Sequence, residues 1–259
     1  MRMMKKVLGT VTVLALSASL LAGCGSTAAS PVSSAASTAA ESTTSSVVSE
    51  TTSAAADENV AAAAQLLNDL TGSYQELWPV ILADEYQQTW LDDCTALVGE
   101  ENAEAAFEKL SSMVTSDVYG EDAVEAYANG GGAYFCGFTN SLATLTFDGE
   151  TSTISGTDKD GNVLFSHTYH YIGMEPVRGL YEFQSDDADS GEFTYFFLAP
   201  DTSAETYHIE FRYGSDAEAL SQYDTGEYAY WLASGISTDC DQTMIDNCIE
   251  LFCTENLAG

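Results

Sequence analysis

The spacing of apolar positions changes once along this chain, from a helical period to a strand period. Residues 57–70 carry Val60, Ala63, Ala64 and Leu67 on one face, begin at Asp57 and end before Gly72, which predicts a capped helix. Residues 74–91 form a second apolar segment with Trp78, Ile81, Leu82 and Trp90, and residues 101–113 and 121–128 read as two shorter helices. Gly130-Gly131-Gly132 ends this helical half. From Ala133 onward apolar and polar residues alternate. Runs rich in β-branched and aromatic residues at 141–147, 152–155, 163–172, 180–184, 193–198 and 206–213 predict strands. Turn residues separate them, among them Asp148-Gly149, Asp158-Lys159-Asp160-Gly161-Asn162 and the segment 185–191. Strands that follow one another without intervening helices make an antiparallel up-and-down meander, and closing it into a barrel removes its exposed edges. A last helix from about Asp239, with Ile245, Cys248, Ile249 and Phe252 on one face, is expected to pack on that barrel. The predicted fold is therefore mainly β, an antiparallel up-and-down β-barrel preceded by a helical part and closed by a C-terminal helix.

Ahead of residue 57 the pattern is of another kind. Arg2, Lys5 and Lys6 precede an apolar run from Val7 to Leu21, and Leu21-Ala22-Gly23-Cys24 reads as a lipobox. A transmembrane helix would need ~20 apolar residues, more than this run supplies. Residues 1–23 are thus expected to be a lipoprotein signal peptide, with the mature chain anchored outside the cell membrane by a lipid on Cys24. From there to residue 56 the chain is nearly all Ser, Thr, Ala and Val with no aromatic residue, the composition of a disordered tether. Residues 57–259 suffice for a single domain.

Charge narrows the partners. Three of the seven Lys and Arg lie in the signal, leaving Lys109, Lys159, Arg178 and Arg212 against 40 Asp and Glu, a formal charge of −36 for the mature chain. Nucleic acid is excluded as a partner, because its binding rests on Lys and Arg neutralising phosphates. Anionic head groups are repelled as well, so the membrane is touched only through the lipid. Cations are what such a field concentrates.

Beyond Cys24 the cysteines are Cys94, Cys136, Cys240, Cys248 and Cys253, an odd number that allows at most two bridges. Bridges within the C-terminal helix have poor geometry, so its cysteines are expected to look to Cys94 or Cys136. The acidic turns at 158–162 and 186–189 read as hairpin turns, since neither completes a calcium loop. The chain carries no G-x-S-x-G elbow, H-E-x-x-H helix or phosphate-cradling glycine loop, so no enzyme is expected.

Several stretches, in order, resemble the ZinT (YodA) family of lipocalin-like (calycin) extracytoplasmic zinc-binding domains. They are Gly72-Ser73-Tyr74-Gln75-Glu76-Leu77-Trp78-Pro79, Val177-Arg178-Gly179-Leu180-Tyr181-Glu182-Phe183, Asp186-Asp187-Ala188-Asp189-Ser190-Gly191, Ala204-Glu205-Thr206-Tyr207-His208-Ile209 and Tyr213-Gly214-Ser215. The resemblance implies a barrel that binds zinc at one mouth and recruits or buffers it for an ABC-type zinc importer. The family pattern is a His, eight further residues and His-x-His. Here the last His matches His208, Thr206 stands at the ligand before it, and the loop Ala199-Pro200-Asp201-Thr202-Ser203 is shorter and holds no His. A substitute set follows from strand geometry: Glu210 shares a face with His208, Asp201 reaches in from the loop, and His170 contributes from an adjacent strand, provided His208 faces the barrel interior. Such a mixed set suits zinc with less discrimination against manganese. The competing reading makes His208 a hydrogen-bonded interior histidine and Glu210 an acid at a polar mouth. His167 and His170, three apart, fall on opposite strand faces. The rival function is a lipocalin-like pocket for a small apolar or aromatic ligand, lined by some of Tyr169, Tyr171, Tyr181, Phe183, Tyr195 and Phe197.

Overall fold

A computed structural model describes residues 47–200 and 208–258, with side chains from Glu58 onward. The expected signal, Cys24, most of the tether, and the segment 201–207 with Asp201 and Thr206 lie outside the described residues. Among the described residues no helix is long and apolar enough to cross a membrane.

Eight described strands close into one antiparallel barrel: β1 (Gly72–Glu76), β2 (Thr144–Asp148), β3 (Thr153–Thr157), β4 (Val163–Met174), β5 (Tyr181–Ser185), β6 (Tyr195–Leu198), β7 (His208–Gly214) and β8 (Ala233–Ser237). Each pairs with its sequence neighbours and β1 pairs with β8, which is the expected up-and-down, lipocalin-like topology. Alternation decides what lines the interior. Leu145, Phe147, Ile154, Phe165, Tyr169, Phe183, Phe196, Leu198, Ile209, Phe211, Tyr213 and Ala233 form one cluster, none of them more than 5% exposed. Each large apolar side chain contributes ~1.5–3 kcal/mol by leaving water, so a slip of one residue in any strand would forfeit several such terms together.

Two strands lie where apolar spacing pointed elsewhere. β1 overlaps the start of the apolar segment 74–91, placed in the helical half of the chain. Gly72 adopts φ 146°, which launches an extended chain, and Tyr74 enters the barrel core, so helix begins only at α2 (Leu77–Ile81). β8 reads Ala-Ser-Gly-Ile-Ser, a composition with little strand propensity, yet it is held by ladders on both edges.

Helices pack outside the closed sheet. The first, α1 (Val47–Asp69), starts before the expected Asp57 and sends Leu66, Leu67 and Leu70 into the barrel core. A second core lies over the outer face of β8. There Ile236 meets Trp78 and Ile81 of α2, Trp90 and Cys94 of α3 (Gln87–Val98), Leu110 of α4 (Ala103–Ser112), and Ile245, Ile249 and Cys253 of α7 (Gln242–Leu257). α7 is capped by Asp241, whose carboxylate accepts the Met244 N–H at 3.0 Å, and not by Thr238 or Asp239, the two caps that the sequence offers near the expected start. Two further helices, α5 (Glu121–Ala128) and α6 (Ala217–Leu220), lie in the β1–β2 and β7–β8 connections.

Candidate cation site and the polar clasp of the barrel

The face that His208 takes is set by its neighbours on β7. Ile209 and Phe211, at 2% and 0% exposure, belong to the barrel core, so His208 and Glu210 must point outward. Their cross-strand partners agree: His208 lies opposite Ile236, a residue of the outer core, and Glu210 lies opposite Ser234. The condition on which the substitute set rested, a His208 that faces the barrel interior, is therefore not met. Three large apolar groups, Ile209, Phe211 and Tyr213, compete with His208, Glu210 and Arg212 for the inside, and burying the apolar set stabilises while burying the ionisable one costs.

The outward pair still makes a two-donor arrangement. Residues i and i+2 of a strand stand ~6.6 Å apart with side chains parallel. Both are partly exposed, and they lie at the barrel end where the 199–207 connection enters. His170 does not join them. β5 and β6 separate β4 from β7, which at ~4.8 Å per strand is ~14 Å around the wall, and His170 Nδ1 instead meets Asp186 Oδ1 at 2.6 Å. Among the described residues no three His, Cys, Asp or Glu side chains gather closely enough to hold a metal ion.

The two remaining histidines are engaged at the β5–β6 turn. His167 faces inward and its Nδ1 meets Asp187 Oδ2 at 2.7 Å, while His170 faces outward onto the preceding residue, Asp186. Adjacent turn carboxylates thus straddle β4, one on each face, as the three-residue spacing of the histidines requires. The sequence carried a usable signal for this, an Asp-Asp pair in the turn after the next strand, which the reading of 186–189 as a plain hairpin turn missed. The other acidic turn is a hairpin turn as expected: Asp158 Oδ1 accepts the N–H groups of Asp160 at 2.9 Å and Asn162 at 2.8 Å. The Asn162 side chain and these backbone donors hold the Asp158 carboxyl below its usual range.

Polar groups also gather on the outer wall over β6 and β7, where the β4–β5 loop and the long β7–β8 connection meet. Arg212, fully buried, donates to the carbonyls of Leu220, Gln222 and Tyr228. Its guanidinium and that of Arg178 each lie 4.4 Å from the centroid of the Tyr223 ring. Glu175, 1% exposed, accepts the N–H groups of Val177 at 2.7 Å and Arg178 at 2.6 Å, and the Tyr223 hydroxyl reaches it at 3.4 Å. Two of the domain's four cations are thereby spent on fastening one connection to another. Sequence reasoning left Arg178, Arg212, Tyr223 and Glu175 without a role, because their contact joins segments far apart in the chain.

The interior holds aromatic side chains where a lipocalin-like pocket was the rival expectation. Tyr169 and Phe183 are core, Phe197 is buried on the outer wall opposite Arg212, and Tyr171, Tyr181 and Tyr195 pack against the cluster. A cleft of about 340 Å³ lies outside the barrel instead, lined by Glu76, Trp78, Leu82, Val114, Phe135 and Cys136 among others. Burial, with the Glu210 carboxylate adding to it, pushes the Cys136 thiol up to about 12.

No protein-family model matches the chain, and no curated protein matches it. Among solved structures it is similar to the Zn(II)-bound ZinT-like domain of Streptococcus pneumoniae AdcA, at 15% identity and a TM-score of 0.45, over 71% of this chain and 89% of that domain. It is also similar to Zn(II)-bound AdcA from the same organism, at 14% identity and a TM-score of 0.42, over 72% of this chain and 35% of AdcA.

Proposed function

We propose that this chain is a lipid-anchored extracytoplasmic protein that binds divalent cations, with zinc as its cargo, and recruits or buffers the ion for an ABC-type importer. The observation that carries this reading is the placement of His208 and Glu210 on one face of β7, partly exposed, directly after the connection that contains Asp201. An imidazole and a carboxylate in i, i+2 register suit zinc, and Asp201 is the third donor of the set. Two oxygens and one nitrogen make a harder site than three imidazoles, so manganese competes more effectively than it would at an all-His site. The −36 charge of the mature chain raises the local concentration of any cation and supports capture. The lipobox at Cys24 supports the anchor, and the sequence resemblance around Tyr207-His208-Ile209 supports the choice of zinc. The chemistry is binding rather than catalysis.

Titration of the full mature chain with zinc by calorimetry tests this. His208→Ala should abolish stoichiometric binding, and Glu210→Gln should weaken it by about 10-fold or more, a carboxylate ligand being replaced by a neutral amide. Unchanged binding in His208→Ala would remove the site. A second reading, capture of a small apolar or aromatic molecule, is favoured by the cleft beside Trp78 and Phe135, whose volume of about 340 Å³ falls within the usual range for ligand sites. Native mass spectrometry separates the two, since stoichiometric zinc supports the first reading and a metal-free protein carrying an organic mass supports the second.

A further inference from the structure

We propose that Cys94 and Cys253 form a disulfide that pins the C-terminal helix α7 to α3. Their sulfurs face each other at 3.9 Å across the α3–α7 contact, and both residues are fully buried. A disulfide needs ~2.05 Å between sulfurs, so rotamer adjustment and a small approach of the two helices must close a gap of roughly 2 Å. The other cysteines are placed less well. Cys248 shares α7 with Cys253 but stands five residues away, about 140° around the helix axis, so the side of α7 that Cys253 turns to α3 is not the side that carries Cys248. Cys136 lies on the chain beside β8, with its thiol 4.0 Å from the Tyr134 carbonyl. The geometry narrows the expectation from the sequence, which left Cys94 and Cys136 both open as partners for the C-terminal helix.

The redox balance is that of thiol–disulfide exchange with a disulfide oxidant. The thiolate of one cysteine attacks an oxidant sulfur and expels one thiolate, and the other cysteine then displaces the second from the mixed disulfide. One S–S bond forms within the protein and one breaks in the oxidant. The two electrons reduce the oxidant to two thiols, which take up the two protons. Burial raises the thiols of Cys94 and Cys253 above their usual range, so neither is readily ionised or reached once the domain has closed. The bond therefore forms while the chain folds, and afterwards the same burial shields it from reductants. The loop it closes includes every strand from β2 to β8, so the constraint on the unfolded chain is large.

In the cell the bond rests on the extracytoplasmic reading above, whereas in vitro it rests on geometry alone. The full mature chain is denatured, reduced and refolded with or without glutathione disulfide, then labelled with a maleimide under denaturing conditions and mapped by peptide mass. With the oxidant, Cys94 and Cys253 should appear in one linked peptide pair while Cys136, Cys240 and Cys248 carry the label. The oxidised protein should melt roughly 5–15 °C above the reduced one. Cys253→Ser should lose the oxidant-dependent shift and Cys136→Ser should keep it. If Cys253→Ser fails to fold, the peptide map of the natural sequence decides the matter. Label on both Cys94 and Cys253, or linkage of either to another cysteine, would overturn the proposal. If the bond forms in vitro while protein recovered from exporting cells carries both thiols free, the geometry stands and the extracytoplasmic reading fails.

Discussion

Arg212 and Tyr223 are stacked, the guanidinium carbon 4.4 Å from the ring centroid, although one lies on β7 and the other in the connection that leaves it. Arg178 meets the same ring at the same distance from the β4–β5 loop, so a single tyrosine ties together connections that start at opposite ends of the barrel. A buried cation without a close carboxylate is costly in general. Here three backbone carbonyls, an aromatic face and the field of Glu175 offset most of the water that Arg212 gives up, its buried Nε alone finding no hydrogen-bond partner among the described residues, and burial brings its pKa down only to about 10, so it stays charged at neutral pH.

Arg212→Ala should therefore destabilise the domain by about 3–5 kcal/mol, because it leaves the carbonyls of Leu220, Gln222 and Tyr228 short of their donor in a buried place. Tyr223→Phe keeps the ring and loses the hydroxyl's contacts to Glu175, at 3.4 Å, and to the Arg212 side chain, so its cost should be about 1–2 kcal/mol. Urea unfolding followed by circular dichroism measures both. Equal costs for the two variants would show that the hydroxyl, not the stack, fastens the connection.

Gly149→Ala should loosen α1. A Cβ there would lie 2.4 Å from the Asn68 Cα and 2.6 Å from the Leu67 carbonyl oxygen, both backbone atoms that cannot rotate aside. The overpacking should cost about 2–3 kcal/mol and raise hydrogen exchange across residues 62–70. Gly131→Ala, where nothing lies within 4 Å of the added carbon, is the control and should leave exchange in α1 unchanged.

Asp93 should make the domain's stability depend on pH. Burial raises its carboxyl above the usual range, and Glu250, Asp246 and Asp92 add to the shift. Its Oδ2 is buried with no hydrogen-bond partner among the described residues. For an acid whose folded pKa lies above the unfolded one, the folded state holds the proton more tightly. Its contribution to stability is fully present below the unfolded pKa and is lost as pH rises through the folded pKa. Asp93→Asn should remove that loss, raising Tm at pH 7 by about 2–4 °C and leaving it nearly unchanged at pH 3. Scanning calorimetry at the two pH values checks it, and an equal change at both would show that the carboxyl does not titrate in this window.

Much of the barrel was legible because the interior is written in alternation. On β6 and β7 every second residue is a large apolar group, β4 and β5 keep the alternation at Phe165, Tyr169 and Phe183, and the acidic turns between them bend as their side chains dictate. β1 and β8 were not legible for opposite reasons. Tyr74 lies in an apolar run that continues into a true helix, so its period was masked, and β8 has almost no strand-forming residue at all. The candidate site was legible as residues and not as geometry. His208 and Glu210 share a face, as alternation requires, yet the face is the outer one, and His170 lies two strands beyond reach.

The sequence by itself determined the fold class, the acidic balance of 40 Asp and Glu against seven Lys and Arg, and which residues share a strand face, since these follow from local periodicity and composition. Tertiary structure alone decided which face looks inward, that Asp186 and Asp187 hold the two histidines of β4, that two arginines meet on Tyr223, and that Cys94 stands against Cys253. All four join segments far apart in the chain. For the strands, a single strand fixes only that its two faces differ, and the choice between them is made by competition for the interior. That competition is settled by the summed burial of Ile209, Phe211, Tyr213 and their cross-barrel neighbours, which no stretch of sequence states alone.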